Sequence, residues 1–173
     1  ETAAKKRQAL GLLSKQTNGF RVVNAEGDGL TGLVVDRFDR TAVVGLNSLA
    51  QTRHWETIAQ AVLTHCDVDL VRGLVDEQAS RLESIEKVEQ LYPANADVTQ
   101  LSEVAITENG VKYALNLSQG QKTGFYFDQR DNRARFAQMC GDEEILDLYS
   151  YVGAFSFNAL KAGAKQATAV ETS

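Results

Sequence analysis

At 173 residues, with 43% hydrophobic residues and a single proline, the chain has the length and apolar content of one domain or two small ones, which excludes a disordered tail. A formal charge of −5 excludes the strongly basic footprint of a stand-alone nucleic-acid binder, because affinity for phosphate comes largely from Lys and Arg; any contact with RNA has to be local. No apolar run approaches the roughly 20 residues that cross a bilayer, no leader pattern opens the chain, and Cys66 and Cys140 lack the C-x-x-C spacing of a zinc or redox site. The expectation is a soluble, cytoplasmic protein with no membrane partner, no metal and no disulfide.

Residues Ala3 to Ser14 place Leu10 and Leu13 at helical spacing, so a short amphipathic helix is expected there, interrupted by Gly11. From Phe20 to Asn47 three β-rich runs (FRVVNAE, GLVVDRF, TAVVGLN) are separated by Gly27-Asp28-Gly29 and by Asp39-Arg40, which predicts an antiparallel meander. His54 to Cys66 puts Trp55, Ile58, Ala59, Val62 and Leu63 on one helical face and leads into a strand, DLVRGLV. The order β-β-β-α-β describes a small α+β domain, bounded at about residues 1–103. The charged stretch from Glu77 to Glu103 is weakly periodic, and only about Ser80 to Leu91 is expected to be helical.

Beyond it, VAITENGVKYALNL reads as a hairpin, since Asn109-Gly110 supplies the two positive-φ positions of a tight turn. A polar loop, Ser118 to Thr123, precedes a helix expected over Asp128 to Met139. Then come a short strand (Glu144 to Leu148), a tight loop (Tyr149 to Gly153), a helix (Ala154 to Ala162) with Gly163 as its cap, and a second strand (Ala167 to Val170) ending at Glu171. This β-loop-α-β unit opens a Rossmann-like α/β domain, assigned to residues 104–173. Glu1 is not a methionine, and Glu171-Thr172-Ser173 follow directly on a strand, so both ends are expected to be cut. An unpaired strand edge at Val170 would invite self-association.

Two constellations carry chemistry. In doubly wound sheets the first strand-to-helix turn approaches the ligand, and an acid ending the second strand accepts hydrogen bonds from a ribose. Asp147 to Gly153 and Glu171 hold those places. Tyr149 and Tyr151 stand where a dinucleotide fingerprint needs glycines, so a ligand without pyrophosphate, such as S-adenosylmethionine, fits better than a dinucleotide. The second constellation is GQKTGFYFDQRDNR. Lys122, Thr123 and Gly124 can present a cation, a hydroxyl and backbone N–H groups to a carboxylate, and Arg130 and Arg133 share a helical face. Such a loop suits the methionine end of the cofactor or an RNA phosphate; the competing reading is a solvated charged helix over a packed aromatic strand.

The run GQKTGFYFDQRDNR, followed by ILDLYSYVGAFSFNALKAGA and AVETS, resembles the large-subunit rRNA cytosine-5 methyltransferase family, and EGDGLTGLVVDRFD resembles that family's central domain. The resemblance implies methyl transfer from S-adenosylmethionine to C5 of a cytosine in ribosomal RNA. It places Lys122, Thr123 and Gly124 beside the methionine portion. Asp147, Tyr149, Ser150, Tyr151 and Gly153 would form the cofactor turn, with Glu171 on the ribose. Arg130 and Arg133 would orient the loop through Asp128 or Asp147, or touch RNA. The family also carries an N-terminal PUA domain and a cysteine nucleophile that lies downstream of Glu171, so no catalytic residue is assigned and this piece alone is expected to be inactive. The rival reading is a non-catalytic RNA-binding or assembly module with a vestigial cofactor motif.

Overall fold

The computed structural model describes residues 1–75, 77–85, 90–118 and 123–172, with residues 78 and 79 described by their backbone only. Contacts divide the chain into two compact units: Glu1–Glu108 with Lys112–Phe125, and Asn109–Val111 with Tyr126–Ser173.

The first unit is built on the predicted meander. Strands β1 (Gly19–Asn24), β2 (Leu33–Phe38) and β3 (Thr41–Leu46) pair antiparallel in sequence order, and Asp39 makes the β2–β3 corner at φ 54°. Asp and Asn are the non-glycine residues that tolerate that conformation best. After β3 come helices α2 (Leu49–Arg53), whose first turn is capped by the Ser48 hydroxyl accepting from Gln51 N at 3.3 Å, and α3 (Trp55–Cys66). They return the chain to β4 (Leu70–Val75), which runs parallel to β3. Helix α3 buries Trp55, Ala59, Val62 and Cys66 in a cluster with Val22, Val35, Val44, Leu46 and Val71 of the sheet. Gly73 is part of this fit, because a Cβ there would stand 2.7 Å from the Trp55 ring.

Two expectations fail in this unit. The N-terminal helix, here α1 (Thr2–Ala9), is shorter than predicted and buries none of its residues; Gly11 takes φ 67° just beyond it, and Leu10 and Leu13 are exposed. Ala3 and Ala4 pack partly against the core, and a charge pair anchors the helix: Arg7 donates Nη1 and Nη2 to the two carboxylate oxygens of Asp28, each at 2.6 Å, and Nε to the Arg21 carbonyl at 3.2 Å. The charged stretch also differs. Its helix, α4, spans Glu77–Glu83, and Gln90–Tyr92 form β5, which adds antiparallel to β4 and completes the sheet order β1-β2-β3-β4-β5; residues 86–89 lie outside the described ones.

Strands β6 (Val104–Glu108) and β7 (Val111–Leu115) form the predicted hairpin, with Asn109 at φ 49° and Gly110 at φ 75° in its turn. By contacts β6 and Lys112–Leu115 of β7 fall within the first unit, whereas Asn109, Gly110 and Val111 fall within the second.

In the second unit a 3-10 turn, Phe127–Gln129, leads into α5 (Arg130–Met139), and β8 (Glu144–Leu148), α6 (Ala154–Ala162) and β9 (Gln166–Val170) follow. Strands β8 and β9 are parallel and in register from Glu144↔Gln166 to Leu148↔Val170, as the sequence pattern requires. Helix α5 packs on α6 through Phe136 and Phe155, whose rings meet edge to face at 5.8 Å. The architecture is a mixed one: an α+β unit followed by a β-α-β of Rossmann type.

Candidate cofactor site

The site lies where the chain leaves β8. Between Leu148 and Ala154 it must turn from a strand into a helix within five residues, and it does so with three positive-φ positions: Tyr149 at 57°, Tyr151 at 51° and Gly153 at 68°. Glycine takes such a conformation without cost, whereas each tyrosine gives up about 1–2 kcal/mol. Local contacts hold the turn. Ser150 N donates to the Val170 carbonyl at 3.1 Å and Gly153 N to the Ser150 carbonyl at 2.7 Å, while the Tyr151 ring meets Tyr126 edge to face at 5.6 Å.

Two carboxylates complete the turn, one from the end of each strand. Glu171, immediately after β9, accepts from Tyr151 N at 2.6 Å through Oε2 and from Thr172 N at 2.7 Å through Oε1. Asp147, in β8, accepts from both the backbone N and the hydroxyl of Ser156, at 3.2 and 2.8 Å, on a single oxygen, Oδ2. Ser156 is the third residue of α6, and the residue at its N-cap is Gly153, which has no side chain to offer. Asp147 therefore does from the neighbouring strand what an N-cap Ser or Asp does locally. Sequence reasoning picked out Asp147 and Glu171 but missed Ser156. The available signal was a serine three residues after a glycine N-cap.

The remaining candidates are distributed differently. Lys122 lies outside the described residues. Thr123 and Gly124 belong to the first unit, whereas Asp147, Tyr149, Ser150, Tyr151, Gly153 and Glu171 belong to the second. Thr123 is buried, and its hydroxyl donates to Asp36 Oδ2 at 2.5 Å. Asp36 is fully buried and also accepts from Arg21 at 2.8 and 2.9 Å. Asp36 had no sequence signal, since it stands 87 residues from Thr123. Gly124 takes φ 116°, with Leu117 Cδ2 2.6 Å from where a Cβ would be, so both its conformation and its surroundings require glycine.

Arg133 is 2% exposed, and its guanidinium donates to the Tyr126 carbonyl, also in the second unit, at 3.0 Å. Arg130 sits half-buried and pairs with its neighbour Asp131 at 3.0 Å.

The residues present suit an adenosine-type ligand. The turn sits at the carboxyl end of β8 beside the acid that follows β9, which is where open α/β sheets take nucleosides, and Glu171 brings carboxylate oxygens suited to ribose hydroxyls. Neither cysteine is an activated nucleophile: burial pushes the Cys66 thiol up, and partial burial together with the Glu143 charge does the same at Cys140. Among the described residues no cluster of His, Cys, Asp or Glu could hold a metal ion, and no helix is long and apolar enough to cross a membrane.

Comparison with known proteins points the same way. Residues 97–173 match the family described as S-adenosylmethionine-dependent methyltransferase. Over 173 residues the chain is 36% identical to the ribosomal RNA large subunit methyltransferase I of Alteromonas mediterranea, covering all of this chain and 42% of that protein. Over 155 residues it is 37% identical to the protein of the same name from Pseudoalteromonas atlantica, covering 90% of this chain and 38% of the other. The chain thus spans about two fifths of the length of these relatives. A solved structure from Streptococcus mutans described as a SAM-dependent methyltransferase shares the fold, with a TM-score of 0.80 at 24% identity over 99% of this chain and 43% of that one. Residues 97–173 therefore carry the sequence pattern of an S-adenosylmethionine-dependent methyltransferase, and S-adenosylmethionine is the cofactor of the family they match.

Proposed function

We propose that the chain is the central and early cofactor-binding part of a methyltransferase that converts a cytosine of large-subunit ribosomal RNA to 5-methylcytosine in the cytoplasm. The observation that carries the cofactor half of this reading is the hydrogen bond of 2.6 Å from Tyr151 N to Glu171, which brings the acid after β9 to the turn after β8. The resemblance of the Lys122-Thr123-Gly124 and Asp147–Gly153 motifs, together with the relatives named above, supports the RNA half.

When bound, S-adenosylmethionine supplies an electrophilic methyl group on its sulfonium. Glu171 accepts from the ribose hydroxyls while keeping its hold on Tyr151 N. Tyr149 and Tyr151 keep bulk where a pyrophosphate would have to lie, which selects for a nucleoside without one. In the first unit Thr123 is held by Asp36 and Gly124 by its place against Leu117, and the resemblance of the motif assigns Lys122, Thr123 and Gly124 to the methionine portion. Arg130 reaches RNA from the start of α5, and Arg133 keeps the Tyr126 segment in place. The base itself needs a thiolate to add at C6 before C5 can take the methyl group, and neither Cys66 nor Cys140 is suited to that role.

The test is incubation with labelled S-adenosylmethionine and large-subunit RNA lacking the modification. The full reading frame containing this sequence is expected to label cytosine C5, and the 173-residue chain by itself to incorporate no label above a no-protein control. Labelling by the short chain would show that the nucleophile is misplaced. Salt-dependent RNA affinity in a full-length protein that does not bind the cofactor would favour the binding-module reading instead.

A further inference from the structure

We propose that Ser156 is a positioning residue for the cofactor turn, acting through Asp147, and that its hydroxyl sets the affinity of the protein for S-adenosylmethionine without touching the cofactor. This inference rests on the cofactor reading above.

A turn that holds two tyrosines at positive φ does not persist through local preference. Something must over-determine it, because strained backbone survives only where its surroundings fix it. On the β9 side the fixing group is Glu171, through Tyr151 N. On the helix side it is Asp147, and the Asp147 contact is weaker than its count suggests. The bond from Ser156 N is long, at 3.2 Å, and the bond from the Ser156 hydroxyl, at 2.8 Å, is the better one. Both converge on Oδ2, so the hydroxyl is what keeps that oxygen pointed at the first turn of α6. Gly153 gives the helix no cap of its own, and Ser156 is buried, so water is a poor replacement.

Loss of the hydroxyl leaves the sheet and the helix in place but frees the segment between them. The turn then samples conformations in which Glu171 and Tyr151 are apart, and the apparent dissociation constant rises by the reciprocal of the fraction that stays organised. If that fraction falls to between a tenth and a fifth, binding weakens about five- to tenfold, which is the scale of one hydrogen bond. Chemistry on a cofactor already bound is unchanged.

Ser156→Thr and Ser156→Val have side chains of nearly equal volume and differ in the hydroxyl, so the pair separates hydrogen bonding from packing even if Ser156→Ala folds poorly. In the full-length protein we expect Ser156→Thr to bind S-adenosylhomocysteine within about twofold of the parent, and Ser156→Val about five- to tenfold more weakly by calorimetry. With Ser156→Val the KM for S-adenosylmethionine should rise by the same factor, with kcat at saturating cofactor and KM for RNA within about twofold. Equal affinities for the two variants would overturn the proposal and leave the cofactor reading standing, as would losses confined to kcat or to RNA. Failure of the unaltered protein to bind S-adenosylhomocysteine would instead overturn the cofactor reading, and this proposal with it.

Discussion

Among the described residues two parallel strand pairs have a helical connection, and they have opposite fates. In the first unit β3 and β4 are flanked by β2 and β5 and covered by α3, and Val43, Val44, Leu46 and Val71 are fully buried. In the second unit β8 and β9 are equally well registered, yet Leu146 is 64% exposed, Leu148 56% and Val170 45%. Similar apolar strand residues thus produce a core in one place and a surface in the other. Local pattern and the β-α-β connection set pairing, whereas burial depends on how many neighbours a strand has, and β8–β9 form a two-stranded sheet among the described residues.

The largest expected effect tests that contrast directly. Val44→Ala empties space in a packed core and should cost about 2–3 kcal/mol, the transfer of two methyl groups plus the cavity they leave. Leu148→Ala removes more carbon but from a side chain already half in water, and should cost about 0.5 kcal/mol. Urea unfolding of both variants, followed by Trp55 fluorescence for the first unit and by far-UV circular dichroism for the whole, measures the pair. A loss of 2 kcal/mol or more at Leu148 would mean that β8 is covered in solution.

Next in size is the anchor of α1, which is ionic where the core beside it is apolar. The Arg7 guanidinium, bonded to both oxygens of Asp28, holds that carboxyl down to about 2, below its ordinary 3.8. A carboxyl depressed in the folded state contributes stability that is present above its ordinary value and lost as pH falls through the folded one. The Asp28 side chain is nearly buried, so screening is partial, and the pair is expected to contribute about 1–2 kcal/mol at neutral pH. Arg7→Ala should lower stability by that amount at pH 6, and the difference from the parent should shrink between pH 4 and pH 2. A difference that stays constant across that window would show that Arg7 acts through packing.

These particulars show where the sequence is legible. The meander, the Asn109-Gly110 turn and the β8-α6-β9 unit each announce themselves through local alternation, turn chemistry or capping. The missed features depend on partners far along the chain. α1 is held by Asp28, 21 residues on, and not by the leucines that suggested an apolar face. β5 has three residues and exists because β4 offers it an edge. The functional role read into Thr123 meets the buried Asp36, a polar contact with no local signature. The candidate site was half visible for the same reason: the acids at the strand ends follow from spacing, whereas the bond between Asp147 and Ser156 needs the helix already placed against the strand.

Exposure of β8 and β9 has a consequence for association. Leu146, Leu148 and Val170 present apolar surface beside strand edges, and such edges pair with other copies unless charge or cover prevents it. The 173-residue chain is expected to self-associate with increasing concentration, and Leu148→Lys to weaken that association at least tenfold, or about 1.4 kcal/mol, while leaving the unfolding of the first unit unchanged. Light scattering across a concentration series reads this, and a monomer at every concentration in the unaltered chain would remove the claim.

The smallest effect concerns the strain in the turn itself. Tyr149 is 85% exposed at φ 57°, so its side chain returns little packing for a backbone conformation that costs a non-glycine residue about 1–2 kcal/mol. Glycine at this position relieves that cost but adds freedom to the unfolded chain, worth about 0.5–1 kcal/mol against folding. Tyr149→Gly is therefore expected to stabilise the protein by about 0.5 kcal/mol, a shift of one or two degrees in Tm. Tyr151→Gly provides the control, because it relieves similar strain at φ 51° but loses the edge-to-face contact with Tyr126. That contact is worth about 0.5–1.5 kcal/mol, so the second variant should fall below the first and end near or under the parent. If both variants gain equally, the Tyr126–Tyr151 contact contributes nothing to the turn; if both lose, the positive-φ tyrosines are held by packing that outweighs their strain, and the turn is more rigid than its backbone angles imply.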